Sequence, residues 1–91
     1  MADRRPERLE ALRRKLAQAG LDALIVSSLP NIRYLTGFSG SSALVAVSAK
    51  EVQFLSDFRY RAQAADEVGA LARIQIESGG LFERLFALLK D

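Results

Sequence analysis

Two apolar runs of strand-like composition, Ala43-Leu44-Val45-Ala46-Val47 and Val52-Gln53-Phe54-Leu55-Ser56, are separated only by Ser48-Ala49-Lys50-Glu51. A parallel crossover needs about a dozen residues or more, so the two runs must return on each other as an antiparallel hairpin. Everything else in the chain has to be arranged around that hairpin. Ala23-Leu24-Ile25-Val26 is a shorter continuous apolar run with β-branched members, expected to be a central strand covered on both faces. Arg73-Ile74-Gln75-Ile76-Glu77 alternates polar and apolar residues, as a half-covered or edge strand does.

The remaining segments carry helical signals. Leu9, Leu12, Leu16 and Ala19 recur at spacings of three and four and so share one stripe, with Pro6 suited to an early helical position and Gly20 placed to end the helix. Leu21 can then fold back onto the last turn. Pro30 is preorganised for a first turn, so "PNIRYLTG" reads as a short helix stopped by Gly37. Asp57 is placed to cap a helix over Phe58 to Val68 that Gly69 stops. The final segment puts Leu81, Phe82, Leu85, Phe86, Leu88 and Leu89 on one broad helical face. This order of elements predicts an α/β fold, a mixed β-sheet flanked by helices, within a single domain spanning residues 1–91. Because so apolar a helix usually covers further sheet, its position at the chain end points to a truncated fragment.

Composition narrows the chemistry. A chain of 91 residues with 49% hydrophobic residues supports one modest core, and its net charge of +2 is too small to steer it onto nucleic acid. Arg4, Arg5, Arg8, Arg13, Arg14 and Lys15 crowd the first helix, but Asp3, Glu7 and Glu10 are interspersed among them. That pattern reads as a solvated face with local pairs such as Glu10 with Arg14. There is no Cys and no His. Disulfides, thiolate chemistry, the usual general base near neutral pH and the commonest transition-metal ligand are therefore all excluded within the chain. No apolar run approaches the roughly 20 residues of a membrane span, and no signal-peptide pattern opens the chain, so a cytoplasmic protein without a membrane partner is expected.

Two stretches hold candidate site residues. "GFSGSS", Gly37 to Ser42, lacks the Lys and following helix of a phosphate-binding loop, and Ser39 lacks the His that a serine nucleophile needs. The glycines there are expected to serve a sharp turn. "SDFRY", Ser56 to Tyr60, places Asp57, Arg59 and Tyr60 at a strand exit, where open α/β sheets present binding residues. Arg59 suits a carboxylate, and the competing expectation is a local pair of Asp57 with Arg59 or Arg33. Asp66 and Glu67 are adjacent, so they diverge on a helix and make a poor metal pair.

"GLDALIV", "NIRYLTGFSGSS" and "DFRY" followed by "QA" occur in an order and spacing that resembles the N-terminal domain of the creatinase, prolidase and aminopeptidase P family. The likeness runs from about Arg8 to Val68 and more weakly beyond. It implies a parent Xaa-Pro dipeptidase or aminopeptidase acting on proline-containing peptides. In that family a separate catalytic domain of the "pita-bread" fold, absent from these 91 residues, holds two divalent ions (Mn, Co or Zn) through Asp, His and Glu ligands. The resemblance thus implies no catalytic residue, metal or cofactor in this chain. What it implies instead is a domain that helps the enzyme oligomerise, a dimer being the expected state, and that walls the substrate cleft. Tyr34, Phe38, Asp57, Arg59 and Tyr60 fall in its cleft-facing or interface-facing segments, and Phe58 stands where many relatives carry a small residue. The alternatives are the same domain of creatinase, which works without metals, or of a catalytically dead relative, and a free-standing interaction module docking through Leu81 to Leu89.

Overall fold

A computed structural model of the chain describes residues 3–90. The elements are α1 (Arg5–Ala19), β1 (Ala23–Val26), α2 (Leu29–Thr36), β2 (Leu44–Ser48), β3 (Val52–Asp57), α3 (Arg61–Glu67), β4 (Arg73–Glu77) and α4 (Leu81–Lys90). Single 3-10 turns, Phe58–Tyr60 and Gly69–Leu71, bracket α3. The helix expected over Phe58 to Val68 therefore opens as a tighter turn, because Asp57 draws the Arg59 N–H onto its own carboxylate.

The hairpin forms as required, with Leu44 opposite Leu55 and Val47 opposite Val52, and Ser48 N–H closes the turn onto the Glu51 carbonyl at 2.9 Å. Strand order is β1-β2-β3-β4; β1 runs antiparallel to β2, and β4 runs parallel to β3 after the α3 crossover. The expectation that Ala23–Val26 is a central strand is corrected by this order, which puts β1 at an edge. Both its faces are covered, by α1 and α2 on one side and α4 on the other, and that cover makes all four residues apolar. A continuous apolar run reports facial cover and carries no information about lateral neighbours.

Alternation along the strands divides the core between two faces. Val45, Val47, Val52 and Phe54 join Leu9, Leu16, Ile32, Leu35, Phe38, Ala64 and Val68 beneath α1, α2 and α3. Leu44, Ala46 and Leu55 meet Leu85 of α4, with Leu81 and Leu88 packed alongside. Burying a side chain such as Phe54 or Leu85 fully stabilises the fold by about 1.5–3 kcal/mol. Phe82 and Phe86 leave this face and stay 51% and 58% exposed, narrowing the apolar face expected of α4, and Leu89 lies outside the described side chains.

Helix α1 ends as its Gly20 requires. Gly20 sits at φ 71°, Leu21 N–H bonds the Leu16 carbonyl at 2.9 Å, and Gly20 N–H bonds the Ala17 carbonyl at 3.2 Å. The Leu21 side chain is nevertheless 54% exposed, and Ala19 is exposed too, so the buried stripe is Leu9 and Leu16 with Leu12 half-covered. The basic residues of α1 are not simply solvated. Arg5 Nη1 donates to the Thr36 carbonyl at 2.7 Å and the Glu67 carbonyl at 2.6 Å, Arg8 Nη1 to the Tyr34 carbonyl at 2.9 Å, and Arg13 Nε to the Ser48 carbonyl at 2.8 Å. The last carbonyls of α2 and α3 lack helical partners and carry the negative end of each helix dipole, so one guanidinium can tie both helices to α1. The expected Glu10–Arg14 pair does not form; the first helix instead pairs Asp3 with Arg5 and Arg4 with Glu7.

Candidate functional site

The connection between α2 and β2 is built by one buried hydroxyl and two glycines. Thr36 Oγ1 donates to the Ile32 carbonyl at 2.7 Å and accepts the Phe38 N–H at 3.2 Å, which swings the chain inward as Gly37 turns at φ 82°. Phe38 therefore enters the core at 1% exposure, edge-on to Phe54 at 4.9 Å and to Tyr60 at 5.4 Å. Of the residues expected at a cleft, Phe38 is thus placed as a support beneath Tyr60. Gly40 passes directly over those rings; a Cβ there would lie 2.3 Å from Phe38 Cζ and 2.9 Å from Tyr60 Cε1.

The polar groups of the connection are taken up internally. Ser39 N–H donates to Glu67 Oε1 at 2.9 Å and its hydroxyl to Oε2 at 2.9 Å, while Gln63 Nε2 donates to Ser39 Oγ and to Glu67 Oε1, each at 3.0 Å. The Ser39 N–H, with Gln63 and the Ser39 hydroxyl, pulls the Glu67 carboxyl below its usual range. Such a carboxylate is a poor base, because proton abstraction at neutral pH is best served by a group titrating near 7. Ser39 is held as a cap and is not activated as a nucleophile. Ser41 bonds the Tyr60 hydroxyl through its own hydroxyl, and Ser56 Oγ donates to the Ser42 carbonyl at 2.6 Å.

At the exit of β3 the corner is equally well tied but keeps free donors. Asp57 Oδ1 accepts from the Arg59 N–H at 3.1 Å and from Arg59 Nε at 2.9 Å, and Oδ2 accepts from Nη2 at 2.8 Å. The Arg59 guanidinium beside it lowers the Asp57 carboxyl from its ordinary value. The two side-chain bonds use two of the five guanidinium N–H groups, and the side chain is 59% exposed, so the outer edge of the fork faces solvent. Arg59 also stands 5.2 Å from the centre of the Tyr60 ring.

Asp57, Arg59 and Tyr60 are therefore one unit, whereas Tyr34 lies apart on α2, 56% exposed with the Arg8 guanidinium 4.3 Å over its ring. Sequence reading noted Phe58 and Phe82 but gave neither a place at the site. Phe58 is 69% exposed beside Asp57, and an open hollow of about 300 Å³ at the same end of the sheet is bounded by Leu29, Ser41, Ser42 and Phe82. The Gln63 to Glu67 spacing of four made their mutual bond legible, but the bonds of both to Ser39 cross 24 to 28 positions and were not; nothing local marks Phe58 as exposed. An exposed aromatic next to a braced cation, Phe58 beside Arg59, is a pairing suited to contacting a peptide or protein.

The family model described as the creatinase/prolidase N-terminal domain matches residues 8–91. A Bacillus subtilis protein known as the uncharacterized peptidase YqhT is 41% identical over 73 residues, covering 80% of this chain and 20% of its own. The Xaa-Pro dipeptidase of Bacillus anthracis superposes with a TM-score of 0.87 at 29% identity, over 94% of this chain and 24% of that one. An Xaa-Pro aminopeptidase of Streptococcus pyogenes gives 0.85 at 38% identity, over 94% of this chain and 65% of that one. The chain thus spans about a fifth to two thirds of these relatives.

Proposed function

The chain belongs to the creatinase/prolidase N-terminal domain family, and from that membership we propose that it is the non-catalytic N-terminal domain of a metal-dependent Xaa-Pro dipeptidase or aminopeptidase P. Its role there is to support oligomerisation, as a dimer, and to form part of the wall of the cleft that takes a proline-containing peptide. The observation that carries this reading is the corner at the end of β3. Asp57 holds Arg59 by its inner edge and leaves the outer N–H groups for a carboxylate or carbonyl, with Phe58 69% exposed beside it as an apolar contact.

The divalent ions of such an enzyme do not fit the residues of this chain. It has no His or Cys, and no group of three or more metal-ligating side chains comes together among the described residues. In this reading the metal and its bound water belong to a pita-bread catalytic domain beyond residue 91, and the parent enzyme is cytoplasmic. Hydrolysis of Xaa-Pro peptides by the parent polypeptide and by the 91-residue chain, each with manganese, cobalt or zinc and with a chelator, tests it. Metal-dependent cleavage by the parent alone is expected. A parent that leaves Xaa-Pro bonds intact, or an isolated chain that cleaves them, would contradict it.

A further inference from the structure

The outer edge of β1 is open. The strand pairs only with β2, and among the described residues no other backbone or side-chain hydrogen bond reaches Ala23, Leu24, Ile25 or Val26. An antiparallel strand of four residues turns about half its N–H and C=O groups outward, and this edge has none of the Lys, Pro or bulges that usually protect one. Beside it, between α1 and α2, runs a groove of about 310 Å³. Its walls include Leu12, Leu24 and Leu35, and its charged residues are Arg8 and Lys15, with no carboxylate among them.

Both cations are available to an anion. Lys15 makes no salt bridge among the described residues. Arg8 lies over Tyr34 with Nη1 on the Tyr34 carbonyl, leaving further N–H groups unused. Of the acidic residues flanking it in sequence, Asp3 pairs with Arg5 and Glu7 with Arg4. A second copy of the chain is the wrong occupant. Pairing β1 with its own symmetry mate would set two α1 helices side by side on one face of the joined sheet and bring Arg8 and Lys15 towards their like-charged counterparts.

We propose that this edge and groove take an extended acidic segment of another polypeptide, which adds to the sheet as a strand beyond β1, places an apolar side chain against Leu12, Leu24 and Leu35, and sets carboxylates against Arg8 and Lys15. Main-chain bonds to the open edge supply affinity, and the groove supplies selectivity. Arg8 and Lys15 are seven residues apart, about 10 Å along a helix, which lies between the roughly 7 Å of residues i and i+2 and the roughly 13 Å of residues i and i+4 on one strand face, a difference that two long flexible side chains span. An acidic residue on either side of a central apolar one on the same strand face therefore matches the groove.

The test uses fluorescence anisotropy of the full chain with labelled acetyl-Glu-Val-Leu-Val-Glu-Val-amide, together with amide chemical shifts of β1. Binding that moves the Ala23–Val26 amides is expected, weakened at least about tenfold when both Glu are replaced by Lys and again at high salt. Methylating alternate backbone nitrogens on the edge-facing side should abolish it. Lys15→Glu, at an exposed position, should keep the fold by circular dichroism and, with Arg8 still in place, remove the preference for the acidic over the Lys peptide. In the unaltered chain, equal binding of the acidic and basic peptides, unimpaired binding of the methylated one, no binding, or concentration-dependent shifts of β1 without peptide would each overturn the proposal. None of these readouts depends on peptidase activity.

Discussion

Gly40→Ala isolates the packing that holds the candidate corner. Gly40 is not among the glycines at positive φ, so its backbone conformation is open to alanine and the penalty is steric. The new Cβ would sit 2.3 Å from Cζ and 2.7 Å from Cε2 of Phe38, and 2.9 Å from Cε1 of Tyr60. Phe38 cannot swing aside, because at 1% exposure its ring is fixed edge-on between Phe54 and Tyr60. Overpacking of this kind costs about 1–3 kcal/mol, and in a chain of this size each kcal/mol moves Tm by about 4–8 °C. Differential scanning calorimetry should therefore show a fall of roughly 5–20 °C. Phe38→Leu in the same chain should recover part of that loss. Gly20→Ala is the control: its Cβ meets nothing within 4 Å but φ is +71°, so it should cost about 1 kcal/mol and gain nothing from Phe38→Leu. A Gly40→Ala protein melting within about 2 °C of the parent, or strictly additive double variants, would refute the steric account.

Two further perturbations follow from the network around the connection. Glu67 titrates below its ordinary value of 4.5, so its contribution is fully present above that value and is lost as pH falls through the lowered one; urea midpoints measured from pH 6 to 3 should fall less steeply for Glu67→Gln, and parallel profiles would show the Ser39 cap to be inert. Arg5→Ala removes the shared bonds to Thr36 and Glu67 carbonyls and should cost about 1.5–3 kcal/mol in chemical denaturation, with Arg5→Lys recovering little because an ammonium cannot reproduce the fork; full recovery by Lys would contradict the two-helix clamp.

What was legible in the sequence was what local spacing controls. Ser48 to Glu51 dictated the hairpin, Gly20 and Gly37 marked helix ends that form where expected, and Asp57 caps as expected although its turn is 3-10 and the α-helix starts only at Arg61, because caps and turns depend on a few consecutive residues. Long-range choices were not legible. Facial cover makes the ALIV run apolar whether or not a strand lies beyond it, so β1 read as central. Arg5, Arg8 and Arg13 looked like a solvated stripe because their acceptors are carbonyls from residues 26 to 62 positions away, at Tyr34, Thr36, Ser48 and Glu67. Phe38 shares its segment with polar, surface-type neighbours, and only the Thr36 hydroxyl bond to its N–H shows why the ring turns inward.

The central claim is that the Asp57–Arg59 corner serves substrate in a parent Xaa-Pro peptidase and is not merely a local ion pair. Steady-state kinetics and Tm of Arg59→Ala in the full-length parent test it most directly. Because the pair is exposed and made within one turn, its loss should leave Tm nearly unchanged. Loss of a charge-assisted contact to the peptide should lower kcat/KM about ten- to a hundredfold. An unchanged kcat/KM alongside a lowered Tm would contradict the account and leave Arg59 as a brace for its own turn.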